Sequence, residues 1–168
     1  MKKLIILSLV TMIYMSMTAQ ESVSGFRVGG GLSVVAPVGI NMKPYSVGVG
    51  LDLLGQYGVS SQLALTGDIG YTTIFAKADG DKAFNVIPIR AGIRFFPTNQ
   101  FYLGGKAGVG IGKVNNISSS GFAYSVGAGF RMDDKLDIGL NYEAVNLKTN
   151  NVSTSYPYIG LRLGYFFN

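Results

Sequence analysis

Apolar and polar residues alternate along this chain with a period of two. Phe26, Val28, Leu32 and Val34 interleave with Arg27, Gly29, Gly31 and Ser33. Phe101, Leu103, Ala107, Val109 and Ile111 interleave with Tyr102, Gly104, Lys106, Gly108 and Gly110. Ile159, Leu161, Leu163, Tyr165 and Phe167 do so with Tyr158, Gly160, Arg162, Gly164 and Phe166. Such a period produces extended strands with two chemically distinct faces. Bounded by turn residues, the pattern predicts eight strands, near 24–36, 45–57, 61–74, 84–96, 100–113, 121–132, 135–146 and 156–167. Each is long enough to cross a bilayer at a tilt, which takes roughly 9–11 residues. The apolar face is long and free of charge, so it needs apolar surroundings.

The connections alternate in kind. Pro37–Pro44, Phe75–Ala83, Val114–Ser120 and Leu147–Ser155 are long and polar or flexible, whereas Gly58–Ser60, Pro97–Asn99 and Asp133–Asp134 are tight. Long external loops and short periplasmic turns characterise membrane barrels with both termini in the periplasm. Ala78–Asp81, Ile117–Ser119 and Asn150–Ser153 are therefore predicted to face the exterior. Aromatic residues on the apolar register gather near the strand ends, as interfacial girdles require. Phe26, Tyr57, Phe95, Phe101, Phe130, Tyr165 and Phe167 form one girdle; Tyr45, Tyr71, Phe122, Tyr124 and Tyr142 form the other. Pro88 lacks the N–H of an interior strand position and predicts a bulge or break in strand four. Leu54, Val86 and Phe96 interrupt the polar register and are expected to pack inside.

The first segment reads as targeting rather than structure. Lys2 and Lys3 precede an apolar run from Leu4 to Met17, and Ala19 closes a cleavage site before Gln20. The run falls short of the ~20 residues of a spanning helix, so a removed signal peptide at 1–19 and one barrel domain at 20–168 are predicted. Charged residues make up 14% of the chain, against a typical ~25%, and there are 24 glycines. Hydrophobicity spread over short alternating segments suits a membrane barrel. Past the signal, 12 basic side chains face nine acidic ones, and they are too dispersed for a nucleic-acid surface. There is no cysteine for a disulfide or a lipid anchor. There is no histidine, the commonest metal ligand and a frequent general base.

Candidate chemistry is sparse. The glycines of Gly104–Lys113 lack phosphate-loop spacing: Ala107 and Val114 stand where a Gly and a Ser or Thr are required. They read instead as room-makers in a narrow barrel. Ten ionisable residues share the inward register: Arg27, Asp52, Asp68, Arg90, Arg94, Lys106, Arg131, Asp137, Glu143 and Arg162. Charges enclosed together pair, since an unpaired buried charge is costly. Strand order places Asp52 beside Arg27, Asp68 beside Arg90, and Asp137 beside Arg131 or Arg162. This set is predicted to be a structural charge network in the lumen, with no catalytic, cofactor-binding or metal-binding residue.

In its exported N-terminus and its Gly- and aromatic-rich alternating strands, the chain resembles the outer-membrane β-barrel domain family, the small eight-stranded OmpX/OmpA-like, porin-like barrels of Gram-negative bacteria. Ile87–Phe96 followed by Phe101–Gly105, and the closing Tyr165-Phe166-Phe167, add to the likeness. Outer-membrane strands of this kind usually end on the aromatic, whereas Asn168 follows here. The resemblance implies an all-β, eight-stranded antiparallel up-and-down transmembrane barrel, and it implies no substrate. The expected protein is a monomeric, non-enzymic outer-membrane barrel with a filled lumen and a structural or surface-contact role. A narrow porin-like pore and a small lipid-modifying enzyme are the alternatives. Its expected partners are outer-membrane lipid and, in transit, the barrel-assembly and chaperone machinery, with no nucleic acid and no cofactor.

Overall fold

The computed structural model describes residues 25–78, 82–114, 117–149 and 152–167. The predicted signal at 1–19 and its cleavage site lie outside them. Eight strands follow one another: β1 (Gly25–Pro37), β2 (Tyr45–Gly58), β3 (Leu63–Ala76), β4 (Phe84–Phe95), β5 (Phe101–Val114), β6 (Ile117–Arg131), β7 (Leu136–Thr149) and β8 (Val152–Phe166). Each pairs antiparallel with the next, and β8 returns to β1 to close the barrel. Closure leaves no strand edge around the ring, and in a bilayer it satisfies the backbone groups that water would otherwise serve.

Burial follows the alternation, inverted relative to a soluble protein. Leu32, Leu51, Leu140, Leu161 and many other large apolar side chains are exposed on the outer wall, while Arg90, Arg94, Asp68 and Asp137 are buried within. An apolar wall this extensive would be a liability in water, whereas lipid covers it without cost. Leu54, Val86 and Phe96 point inward and are nearly fully buried.

The connections depart from the predicted asymmetry at two of four places. Residues 38–44, which include a one-turn 3-10 helix (Ile40–Met42), form a loop as expected, and 77–78 and 82–83 lie outside the strands. However, β5–β6 and β7–β8 are continuous hairpins whose ladders reach Val114 opposite Ile117 and Thr149 opposite Val152. The predicted loops Val114–Ser120 and Leu147–Ser155 are therefore mostly strand. Of the predicted external tips, Ile117–Ser119 and Val152–Ser153 lie in β6 and β8, while 79–81 and 150–151 fall outside the described residues. Beyond the apolar belt, Ser118–Ser120 and Ser153–Ser155 carry polar side chains on both faces. Alternation lapses there, but the backbone ladder and the β-compatible Val and Thr side chains continue.

Two local irregularities matter. The register between β2 and β3 shifts between Tyr45 and Gly48, and an extra residue turns the preceding side chains to the other face. Tyr45, predicted for the outer girdle, is instead buried inside. Pro88 breaks the ladder to β3 without changing its register, because pairing resumes at Thr72–Val86 in line with Ile69–Ile89. Toward β5 it pairs with Gly110. The missing proline N–H thus interrupts one ladder and produces no bulge.

Candidate functional site: the barrel interior

Eight strands enclose a narrow space into which side chains reach, and the inward side chains form three layers there. At the end bearing loop 38–44 the layer is apolar: Val35, Ile74, Val86, Val145 and Leu147 pack with Met42, Tyr45, Phe84 and Tyr158. Phe84 stacks on Tyr156 at 4.9 Å and meets Tyr45 at 5.9 Å between ring centres. Loop 38–44 closes over this layer. Val38 N donates to Pro157 O (3.0 Å), and Asn41 Nδ2 donates to Ser155 O (3.1 Å). The sequence pattern identified only Val86 and Tyr158 of this group as interior. The rest are apolar residues in the inward register near strand ends, or lie on the loop or ahead of the bulge.

The middle layer carries charge. Arg90 on β4 reaches Asp68 on β3 through Nε (3.0 Å) and Glu143 on β7 through Nη1 (2.5 Å). Lys106 on β5 also donates to Asp68, and the Tyr158 hydroxyl donates to Glu143 at 3.3 Å. Closer to the turns, Arg162 on β8 forks onto Asp52 on β2, with Nε to Oδ2 at 2.9 Å and Nη2 to Oδ1 at 2.7 Å. Its Nη1 reaches Asp137 on β7 at 3.0 Å. Arg94 donates Nη1 to Asp137 (2.8 Å) and to Gln56 Oε1 (3.2 Å). All four acids therefore contact a base, and two of them hold two bases each.

The predicted pairing of Asp68 with Arg90 agrees with these contacts; that of Asp52 with Arg27 does not. Register sets Arg27 opposite Gln56, and Asp52 opposite Gly31. Asp52 turns to Arg162 across β1, a path that Gly31 leaves open. Asp137 stands opposite Arg131 in the ladder, yet it binds Arg162 and Arg94.

The third layer, at the turn end, is aromatic and basic. Arg27 lies over Phe166 at 4.3 Å, Arg94 over Tyr102 at 4.3 Å, and Arg131 over Phe96 at 4.7 Å. Such contacts offset part of the cost of withdrawing a guanidinium from water. Arg27 and Arg131 have no carboxylate within ion-pair distance among the described residues. Gln56 Nε2 and Thr66 Oγ1 are buried without a hydrogen-bond partner; neither residue was singled out from the sequence.

Between the charged groups remains a cavity of about 20 Å3, bordered by Ser33, Thr72, Arg90, Lys106, Glu143 and Arg162. A water needs roughly 10–15 Å3 by this measure, so the space suits about one. The chemistry of the arrangement is that of mutual charge neutralisation.

Residues 5–167 match the family model of the outer membrane protein beta-barrel domain. No curated protein matches the chain in sequence. Among solved structures it is similar to Ail, the attachment invasion locus protein of Yersinia pestis, at 20% identity and TM-score 0.59, covering 84% of this chain and 97% of that one. Neisserial surface protein A is similar at 17% identity and TM-score 0.57, covering 85% and 96%. The N-terminal β-barrel domain of Pseudomonas aeruginosa OprF is similar at 13% identity and TM-score 0.57, covering 83% and 97%. At these identities the likeness establishes a shared fold.

Proposed function

Because this chain belongs to the outer membrane protein beta-barrel domain family, which implies the bacterial outer membrane, we propose that it is a non-catalytic integral barrel whose interior admits no steady flow of solute and whose loop end meets the cell's surroundings. An N-terminal signal at 1–19 would direct export, and the barrel would work as a monomer among outer-membrane lipids. The loop end, with residues 38–44, 77–83 and the two long hairpins, would face outward, and the tight turns would face the periplasm. Any structural or surface-contact role would then reside in those loops and hairpins, because rigid walls position function more often than they perform it.

One observation supports this reading: inward side chains of different chemistry form three layers among the described residues, and a water-sized cavity lies between charged groups of the middle one. A general porin needs about 16–18 strands to keep an aqueous channel. The test is conductance of the purified, refolded protein in planar bilayers. The expected record shows no steady, large current under either polarity. A persistent open channel would overturn the closed interior and make the narrow pore the better account.

A further inference from the structure

Among the described residues, every lysine outside the lumen except Lys135 lies at the loop end of the barrel: Lys43, Lys77, Lys82, Lys113 and Lys148, all exposed. The acids of that end in the sequence are Asp79 and Asp81, which fall outside the described residues. Two acids do not balance five lysines, so this end carries a net positive charge.

One of the five lysines is seated in the wall itself. Gly112 faces the lumen, where an added Cβ would meet Leu147, so its neighbours Ile111 and Lys113 face outward. The ladders set Lys113 between Asn85 on β4 and Ser118 on β6, with Thr73 on β3 beside Asn85. Residues opposite one another in a ladder share a face, so these four polar side chains form one row across the outer wall. Asn85 Oδ1 accepts from the Tyr71 hydroxyl (3.0 Å) and from Thr73 Oγ1 (2.6 Å). Held this way, the amide offers Nδ2 as a donor, and only one of its two N–H bonds is directed at Ala83 O, at 3.4 Å. Lys113 forms no ion pair among the described residues. Directly below the row the wall turns apolar: Ile87 pairs with Ile111 and Ile89 with Val109, all four exposed. On β1, across the barrel, the outward register at the same end is Val34 and Ala36, with no donor.

An ammonium and two neutral donors bordering a hydrocarbon-facing wall fit a partner with an oxyanion at one end and an alkyl chain at the other. We propose that this row on β3–β6 docks the phosphate headgroup of a membrane lipid, whose chains run down over Ile111 and Val109. A soluble oxyanion would use the row alone, whereas a lipid phosphate meets the row and the apolar wall together. The remaining lysines of the rim add a longer-ranged attraction for the same charge. The proposal rests on the barrel lying in a bilayer, and on neither its orientation nor its closed interior.

The chain has no tryptophan, so Ile111→Trp and Val34→Trp each supply a unique fluorescent reporter, one below the row and one on the opposite wall. Each variant is refolded into phosphatidylcholine bilayers with a minor share of phosphatidic acid, and one lipid at a time carries brominated chains that quench tryptophan. Brominated phosphatidylcholine should quench both reporters; failure to quench either would overturn the membrane reading itself, and this site with it. Brominated phosphatidic acid should quench Ile111→Trp as though enriched roughly threefold or more over its share of the bilayer, and Val34→Trp only in proportion to its share. Adding Lys113→Gln to Ile111→Trp should remove the enrichment, and Lys113→Arg should keep it. Folding is checked by boiling-dependent electrophoretic mobility, and if Lys113→Gln fails to refold, the contrast between the two reporters still decides the matter. No enrichment at Ile111→Trp would overturn the site. Equal enrichment at both reporters would overturn it as diffuse attraction to a basic rim. Displacement by inorganic phosphate at constant ionic strength would overturn it too, since the occupant would then be a soluble anion.

Discussion

At Gly31 an added Cβ would stand 2.5 Å from the guanidinium of Arg162, in the path by which that side chain crosses β1 to Asp52. Both residues flank β1 from opposite sides, so the pair exists only because the barrel closes and because the strand between them carries no side chain at that level. Gly31→Ala should therefore dislodge Arg162 from Asp52. Asp68→Ala removes the acid shared by Arg90 and Lys106, and leaves Glu143 to hold Arg90 alone. Breaking one side of a buried pair costs on the order of 3–5 kcal/mol, less where water enters. Both variants should unfold at clearly lower urea concentration than the unaltered protein, whereas Asp134→Ala in the exposed turn should not. A midpoint unchanged in Asp68→Ala would mean that the network adds nothing to stability. The Asp68–Arg90 pair was legible in the sequence because both lie in the inward register of adjacent strands, equally far from the connection Phe75–Ala83 that joins them. The Asp52–Arg162 pair was not, since it depends on the β8–β1 register and on an intervening glycine. Glycine makes room for a side chain at Gly110 and Gly112, where an added Cβ would meet Val145 and Leu147, whereas at Gly108 it would meet the backbone of Ile89.

Among whole elements, all eight strands could be read from the alternation, because a lipid wall and a crowded interior impose opposite demands on neighbouring residues. The hairpin tips could not, because water on both sides removes that demand while hydrogen bonding persists. Nor could Tyr45 be placed: its face depends on a bulge, and a single extra residue carries no signature in the pattern. The long hairpins carry their own prediction. The chain has no cysteine, so a single introduced one is a unique label. At Lys113→Cys and Ser153→Cys, both exposed near hairpin tips, a membrane-impermeant maleimide should react on intact cells. At Lys135→Cys, in the β6–β7 turn, it should react only after permeabilisation. The reverse pattern would invert the proposed orientation and place the apolar layer at the periplasmic mouth.

Taken as one object, the barrel is a closed ring around three side-chain layers, which under the proposed closed interior act as barriers in series. The ring predicts its own signature. With β8 bonded to both β7 and β1, unfolding must break a continuous ladder, so the unboiled protein should migrate in detergent electrophoresis as a compact band that shifts on boiling. The series arrangement makes a sharper claim. Current through stacked constrictions is limited by the narrowest, so loosening one layer opens nothing while the other two stand. Asp68→Ala disturbs the charged middle, but leaves the Met42–Tyr45–Phe84 layer and the Phe96–Tyr102–Phe166 layer intact. In planar bilayers it should remain as silent as the unaltered protein, despite its lower stability. Combining it with Phe84→Ala and Phe96→Ala removes bulk from all three layers and should yield at least brief openings. If Asp68→Ala alone gives steady current, the charged layer is the sole barrier, and the apolar and aromatic layers only narrow the ends.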